Sequence, residues 1–183
     1  LYSKISRSKV MSNQSTSDNY QIVSGWGRNS KAKVNCINPN DVEEMQKEII
    51  SAKKFSIIAR GLGRSYGDAA QLDKGSIIRL DSFNHIKLDI ERGVIKVGSG
   101  VSVHQLLKVI IPKGFFIPVS PGTRNVTIGG AIAADVHGKN HHKNGSFGNH
   151  LIEILLIDGL GQIKTLSPMN NFSNNTSEQF WAT

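Results

Sequence analysis

A single cysteine, Cys36, excludes an internal disulfide framework and any zinc site built from several thiolates, and it reads as a small strand hydrophobe. No run of 18 apolar residues occurs, so nothing in the chain reads as a membrane-crossing helix. The first 20 residues, LYSKISRSKVMSNQSTSDNY, have no apolar centre of the kind a signal peptide needs, and they read as a polar, mobile leader. No Gly-Lys-Ser/Thr triplet and no HExxH motif is present, which removes the P-loop and the common zinc-protease site. Asn-x-Ser/Thr triplets such as Asn171-Phe172-Ser173 sit in an Asn-rich and Ser-rich tract and read as chance matches.

Acidic residues are scarce, 14 against 22 Lys and Arg, so the formal net charge is +8. The excess is uneven: residues 1–33 carry six basic side chains against Asp18 alone. No helix-turn-helix, RNA-stacking motif or basic-aromatic stripe accompanies it, so nucleic acid is not the expected partner. A basic leader touching an anionic membrane surface fits better, and the reading is a cytoplasmic protein with peripheral membrane contact. With 38% hydrophobic and 20% charged residues over 183 positions, the chain supports one sizeable globular domain, assigned to residues 21–183.

What is abundant is glycine, 18 residues, concentrated in two stretches. Before the first, the pattern predicts a strand at 34–37, a helix over 41–54 with acids in its first turn and lysines in its last, and a strand at 55–59. This strand–helix–strand order suggests an α/β unit with a short parallel pair. Further strands are predicted at 76–80, a hairpin at 86–90 and 94–97, and a helix from Val103 to Ile110 capped by Ser102. Residues 115–119 read as extended, Thr127 as the cap of a short helix over 128–135, and 138–145 as loop. Strands over 151–158 and 162–166, a polar loop over 167–177 and the start of a helix with Phe180 and Trp181 complete the chain.

The first glycine-rich stretch, Arg60-Gly61-Leu62-Gly63-Arg64-Ser65-Tyr66-Gly67-Asp68, empties from a predicted strand and is suited to pointing backbone amides at an anion. The second, residues 121–147 (PGTRNVTIGGAIAADVHGKNHHKNGSF), has side chains too small to fill a core by themselves, so something must lie against it. Gly63-Arg64-Ser65-Tyr66-Gly67 matches G-x-S-x-G, but Ser65 lies six residues beyond the strand end at Ala59 with little room for a following helix, which argues against a hydrolase elbow. Gly61, Gly63 and Gly67 are spaced G-x-G-x-x-x-G, so the dinucleotide fingerprint of the Rossmann fold also fails. A metal held by His137, His141 and His142 with Asp135 or His150 competes with a plainer arrangement, histidines hydrogen-bonded in a polar loop, and no metal is assigned. The remaining reading is a dinucleotide held by both loops, one cradling a pyrophosphate and the other lying along a flat ring.

The blocks GWGR (25–28), ARGLGRSYGD (59–68), PGTRNVTIGGAIAADVHGKNHH (121–142), GSFGNH (145–150) and FWAT (180–183) resemble the FAD-binding domain of the p-cresol methylhydroxylase / vanillyl-alcohol oxidase family and, within it, the decaprenylphosphoryl-β-D-ribose oxidase group. The resemblance runs from about residue 25 to the end of the chain. It implies an α+β (α/β) fold, a two-subdomain PCMH-type FAD-binding domain, with the C-terminal substrate domain absent from these 183 residues. It also implies a pyrophosphate loop formed by Ala59, Arg60, Gly61, Leu62, Gly63, Arg64, Ser65, Tyr66, Gly67, Asp68 and Ala69. Gly122 and Thr123, then Thr127, Ile128, Gly129 and Gly130, would contact the cofactor through amides and hydroxyls, and Ala134, Asp135, Val136 and His137 would run beside the isoalloxazine.

Relatives that attach FAD covalently commonly carry a histidine where this chain has Arg64, so the resemblance implies non-covalent FAD. The implied activity is oxidation of a secondary alcohol of a sugar-like substrate, such as a polyprenyl-phosphoryl pentose, by hydride transfer to flavin N5. A soluble alditol or aldonolactone oxidase and a non-catalytic flavin-binding module are the alternatives. The catalytic base is expected outside this stretch, and His137 is the candidate flavin-facing residue. A partner reductase or epimerase is a further implied contact.

Overall fold

The computed structural model describes residues 20–53, 56–168 and 176–182. The leader up to residue 19, the triplet at 171–173 and Thr183 therefore lie outside the described residues.

Strand β1 (Tyr20–Ser24) pairs antiparallel with β2 (Lys31–Ile37). In β2, Ala32, Val34 and Cys36 are buried while Lys31 and Lys33 face water, the alternation of a sheet with one covered face. Helix α1 (Val42–Ser51) follows, with Asp41 Oδ1 accepting the Glu44 amide at 2.8 Å. It ends at Ser51 rather than running to 54, because Ala52 is already extended; Lys53 lies beyond the helix and Lys54 and Phe55 outside the described residues. Strand β3 (Ile57–Arg60) comes next, then β4 (Ser76–Arg79).

The sheet order is β1-β2-β4-β3, with β4 parallel to both β2 and β3. The strands either side of α1 are thus parallel but not adjacent, since β4, whose Ile77 and Ile78 are buried, takes the central place between them. Strand β1 was not anticipated: Tyr20, Gln21 and Ile22 are exposed, so the segment carries no burial pattern of its own.

The hairpin of β5 (Ile86–Asp89) and β6 (Val94–Val97) has its turn at the left-handed Gly93. Helix α2 (Val103–Ile110) starts in a reciprocal capping box: the Gln105 amide donates to Ser102 Oγ, and the Ser102 amide to Gln105 Oε1. Val103, Leu106 and Ile110 enter a core with Val101, Ile128, Ala131 and Phe147, and Leu107 packs at its margin. A 3-10 turn over Ile111–Lys113 closes on left-handed Gly114. Helix α3 (Ile128–Ala133) is capped by Thr127.

The stretch read as loop over 138–145 contains a one-turn helix, α4 (His141–Asn144), followed by a 3-10 turn over Phe147–His150. Asn140, at its start, donates from Nδ2 to Pro118 O and to Asn144 Oδ1 and so ties the turn to the segment before Ser120. Strands β7 (Ile154–Ile157) and β8 (Ile163–Leu166) form a second hairpin, shorter than the sequence suggests, and α5 (Thr176–Trp181) packs against β8.

Asp158 organises the β7–β8 turn: Oδ1 accepts the amides of Leu160 and Gln162, both at 2.9 Å, and Oδ2 meets Lys164 Nζ at 2.9 Å. The Lys164 hydrogen bond, then the backbone amides, hold this carboxyl below the ordinary aspartate value. The unfolded chain therefore binds the proton more readily than the folded one. The contribution is complete above the ordinary aspartate pKa and is lost as pH falls through it toward the depressed folded value. Melting temperatures followed downward from about pH 6 should fall less steeply in Asp158→Asn than in the parent; identical acid limbs would remove Asp158 from this role.

Candidate functional site

β2, β3 and β4 run the same way, and the chain leaves the carboxyl end of β3 directly into the first glycine-rich loop. In parallel α/β sheets this edge is where ligands sit. Among the described residues, no protein acceptor takes an amide N–H of residues 62–69. Eight consecutive backbone donors are thus left without an acceptor among the described residues, a chemistry suited to an anion.

The shape of that loop is set from outside it. Gly63 has φ +63°, and a Cβ there would strike the Arg60 guanidinium, so the position strongly favours glycine. The turn after β1 docks on the loop's back: the Trp26 amide donates to Ser65 O at 2.7 Å and the Gly27 amide to Tyr66 O at 3.1 Å. Gly25 is pressed so close that a Cβ would overlap Gly67 O. Arg60 Nη1 donates to Ala70 O and Nη2 to Ser24 O, both at 2.7 Å. Burial, and secondarily the charge of Arg79, lower the Arg60 pKa, and the two hydrogen bonds offset the lost hydration. Arg64 Nε donates to Asn125 O at 3.0 Å, and its guanidinium lies 4.4 Å from the Trp26 ring centroid. Both arginines of the expected pyrophosphate loop thus make contacts within the protein, Arg60 through both Nη atoms and Arg64 through Nε and its guanidinium face.

Besides the Arg64–Asn125 hydrogen bond, the second glycine-rich segment meets the first where a Cβ on Gly61 would collide with Thr127 Oγ1. The start of α3 departs from the expectation of cofactor-facing amides. The Ile128 amide donates to Val101 O, that of Gly129 to Ser99 O and that of Gly130 to Thr127 Oγ1, so all three are spent inside the protein. Ile128 is core, and Gly129 is small because Ser99 lies against it. What this segment offers outward is low-relief surface: Gly122, with no atom within 4 Å of its Cβ position, and exposed Thr123 and Ala134.

Asp135 adopts a left-handed φ of +37° and accepts the Gly148 amide on Oδ1 at 2.8 Å, so its carboxylate tethers the end of α3 to the 3-10 turn. Val136 packs on the core, while His137 is exposed and bridges to Ser146. His137 and His141 stand edge to face, centroids 5.2 Å apart, on the wall of an open cavity of about 760 Å³ that Phe116, Pro121, Gly122 and Lys139 also line. His141 Nδ1 lies 3.1 Å from Gly138 O, and His150 Nε2 2.8 Å from Asn144 O. Among the described residues no group of three His, Cys, Asp or Glu side chains is placed to hold a metal.

Ala59, Leu62, Ser65, Tyr66, Gly67, Asp68 and Ala69 are all exposed around the free amides. Gly25, Ser99 and Asn125 were missed as shaping residues; the GWGR block was the available signal for the first.

A sequence profile described as "FAD binding domain" matches residues 35–167. The chain belongs to this family of FAD-binding domains. The match spans the 60–68 loop, the 121–137 segment and both hairpins, and the two loops fit the assignment, with open Cβ positions at Gly67 and Gly122 and eight amides without an acceptor among the described residues. The FAD-binding domain is 42% identical over 163 residues to the decaprenylphosphoryl-β-D-ribose oxidase of Mycolicibacterium smegmatis, covering 87% of this chain and 35% of that protein. It is 21% identical over 148 residues to an alditol oxidase of Streptomyces, covering 80% of this chain and 35% of that protein. It also superposes on 6-hydroxy-D-nicotine oxidase from Arthrobacter nicotinovorans with a TM-score of 0.70 at 21% identity, covering 80% of this chain and 32% of the other, so the two share a fold. The chain spans about a third of the length of these relatives.

Proposed function

We propose that this chain is the FAD-binding part of a flavin-dependent oxidoreductase that oxidises a secondary alcohol of a sugar-like substrate, with a polyprenyl-phosphoryl pentose as the preferred class. The observation that carries the reading is the run of unpaired amides over residues 62–69, abutting the second small-residue segment at the Gly61–Thr127 contact. FAD, when bound, supplies a hydride acceptor at N5. The protein's residues bind and orient it: the amides from Leu62 to Ala69 receive the pyrophosphate, Gly122 and Thr123 give close approach, and Ala134 to His137 form the wall along the ring system. His137 faces the cavity beside that wall, where a substrate would enter.

Attachment is non-covalent in this reading, because the residue at the position of the usual histidine is Arg64, held by Asn125 O and the Trp26 ring. The substrate class is favoured by 42% identity to a decaprenylphosphoryl-ribose oxidase against 21% to an alditol oxidase. On the full-length protein, kcat/KM for a polyprenyl-phosphoryl pentose is expected to exceed that for free alditols by at least about 100-fold, close to 3 kcal/mol of transition-state preference. The reverse order would assign the protein to alditol oxidation.

A further inference from the structure

We propose that Arg60 is a positioning residue, a strut that holds the anion loop open from beneath, and not a ligand of the phosphates. The inference rests on the FAD reading above. Arg60 closes β3, and its side chain turns back under the loop it precedes. Nη1 reaches Ala70 O, where the loop ends, and Nη2 reaches Ser24 O, at the end of β1. Gly63, in the middle of the loop, rests against the same guanidinium. Ser24 leads directly into the turn whose amides hold the carbonyls of Ser65 and Tyr66. One planar group therefore sets the exit and middle of the loop and the turn that backs it.

The task needs a fork. The acceptors belong to separate segments and are served by different nitrogens, which an ammonium, a single point donor, cannot reproduce even though it keeps the charge. The charge itself is partly buried and satisfied by carbonyls, whereas the amides of residues 62–69 are unspent. Phosphate neutralisation then falls to the amides, and Arg60 acts through their placement.

The test uses the full-length apoprotein, titrated with FAD by flavin fluorescence, as parent, Arg60→Lys and Arg60→Met, with circular dichroism confirming folding beforehand. Both variants are expected to weaken FAD binding by a similar factor, at least about tenfold. That factor should be the same at low and high ionic strength, since no exposed ion pair to the ligand is lost. Near-parent affinity in Arg60→Lys, with a loss in Arg60→Met that shrinks as salt rises, would overturn the proposal in favour of a direct phosphate contact. Loss of folded signal in both variants before flavin is added would also overturn it, making Arg60 a residue of the general fold. Failure of the parent to bind FAD would instead remove the reading on which the inference rests.

Discussion

Gly25→Ala is expected to weaken FAD binding by about 10- to 100-fold, although Gly25 belongs to neither glycine-rich stretch. A methyl group at this position meets Gly67 O and Ser65 O, both backbone atoms of the anion loop, and neither can rotate aside. Relief requires the turn or the loop to shift, which breaks the Trp26–Ser65 and Gly27–Tyr66 hydrogen bonds and moves the amides proposed to meet the phosphates. Overpacking of this kind costs about 1–3 kcal/mol, which corresponds to the stated factor if it falls on the bound loop geometry. The fold should survive, because Gly25 belongs to neither hydrophobic core cluster. Equilibrium titration of full-length apoprotein measures the effect, and an unchanged Kd would mean that the loop is not shaped by the β1–β2 turn.

Asp135→Ala should have the other large effect, this time on stability. Alanine leaves the Gly148 N–H without its acceptor, a loss of about 1–3 kcal/mol, and must hold a left-handed backbone at about 1–2 kcal/mol. A melting temperature lowered by roughly 10 °C is the expected result. Asp135→Asn retains a carbonyl acceptor and tolerates the left-handed region, so it should stay within about 1 kcal/mol of the parent. If Asp135→Asn melts normally but loses FAD, the carboxylate contacts the cofactor and is more than a tether.

The sequence made the two glycine-rich candidate loops legible because glycine density and a strand emptying into a loop are local signals. It also disclosed α2 and its cap, since Ser102 carries the start signal and Val103, Leu106 and Ile110 the period. Tertiary contacts decided the rest. That Gly61 is small to admit Thr127, and Gly129 to admit Ser99, depends on partners 66 and 30 positions away in the chain. The direction of the α3 amides depends on the carbonyls of Ser99 and Val101, which no spacing rule announces. Arginines in a glycine-rich loop invite a phosphate role, and only the geometry shows Arg60 held by two carbonyls and Arg64 by one through Nε. Strand β1 was hidden because pairing with β2, rather than burial, makes it a strand.

The central claim, that the two loops hold FAD without a covalent bond, is tested most directly by the visible spectrum of purified full-length protein before and after acid precipitation. The account predicts an oxidised-flavin band in the native protein that passes entirely into the supernatant on precipitation, leaving a colourless pellet. A folded protein with no flavin band that takes up none on titration would contradict the site, and a yellow pellet would contradict the mode of attachment.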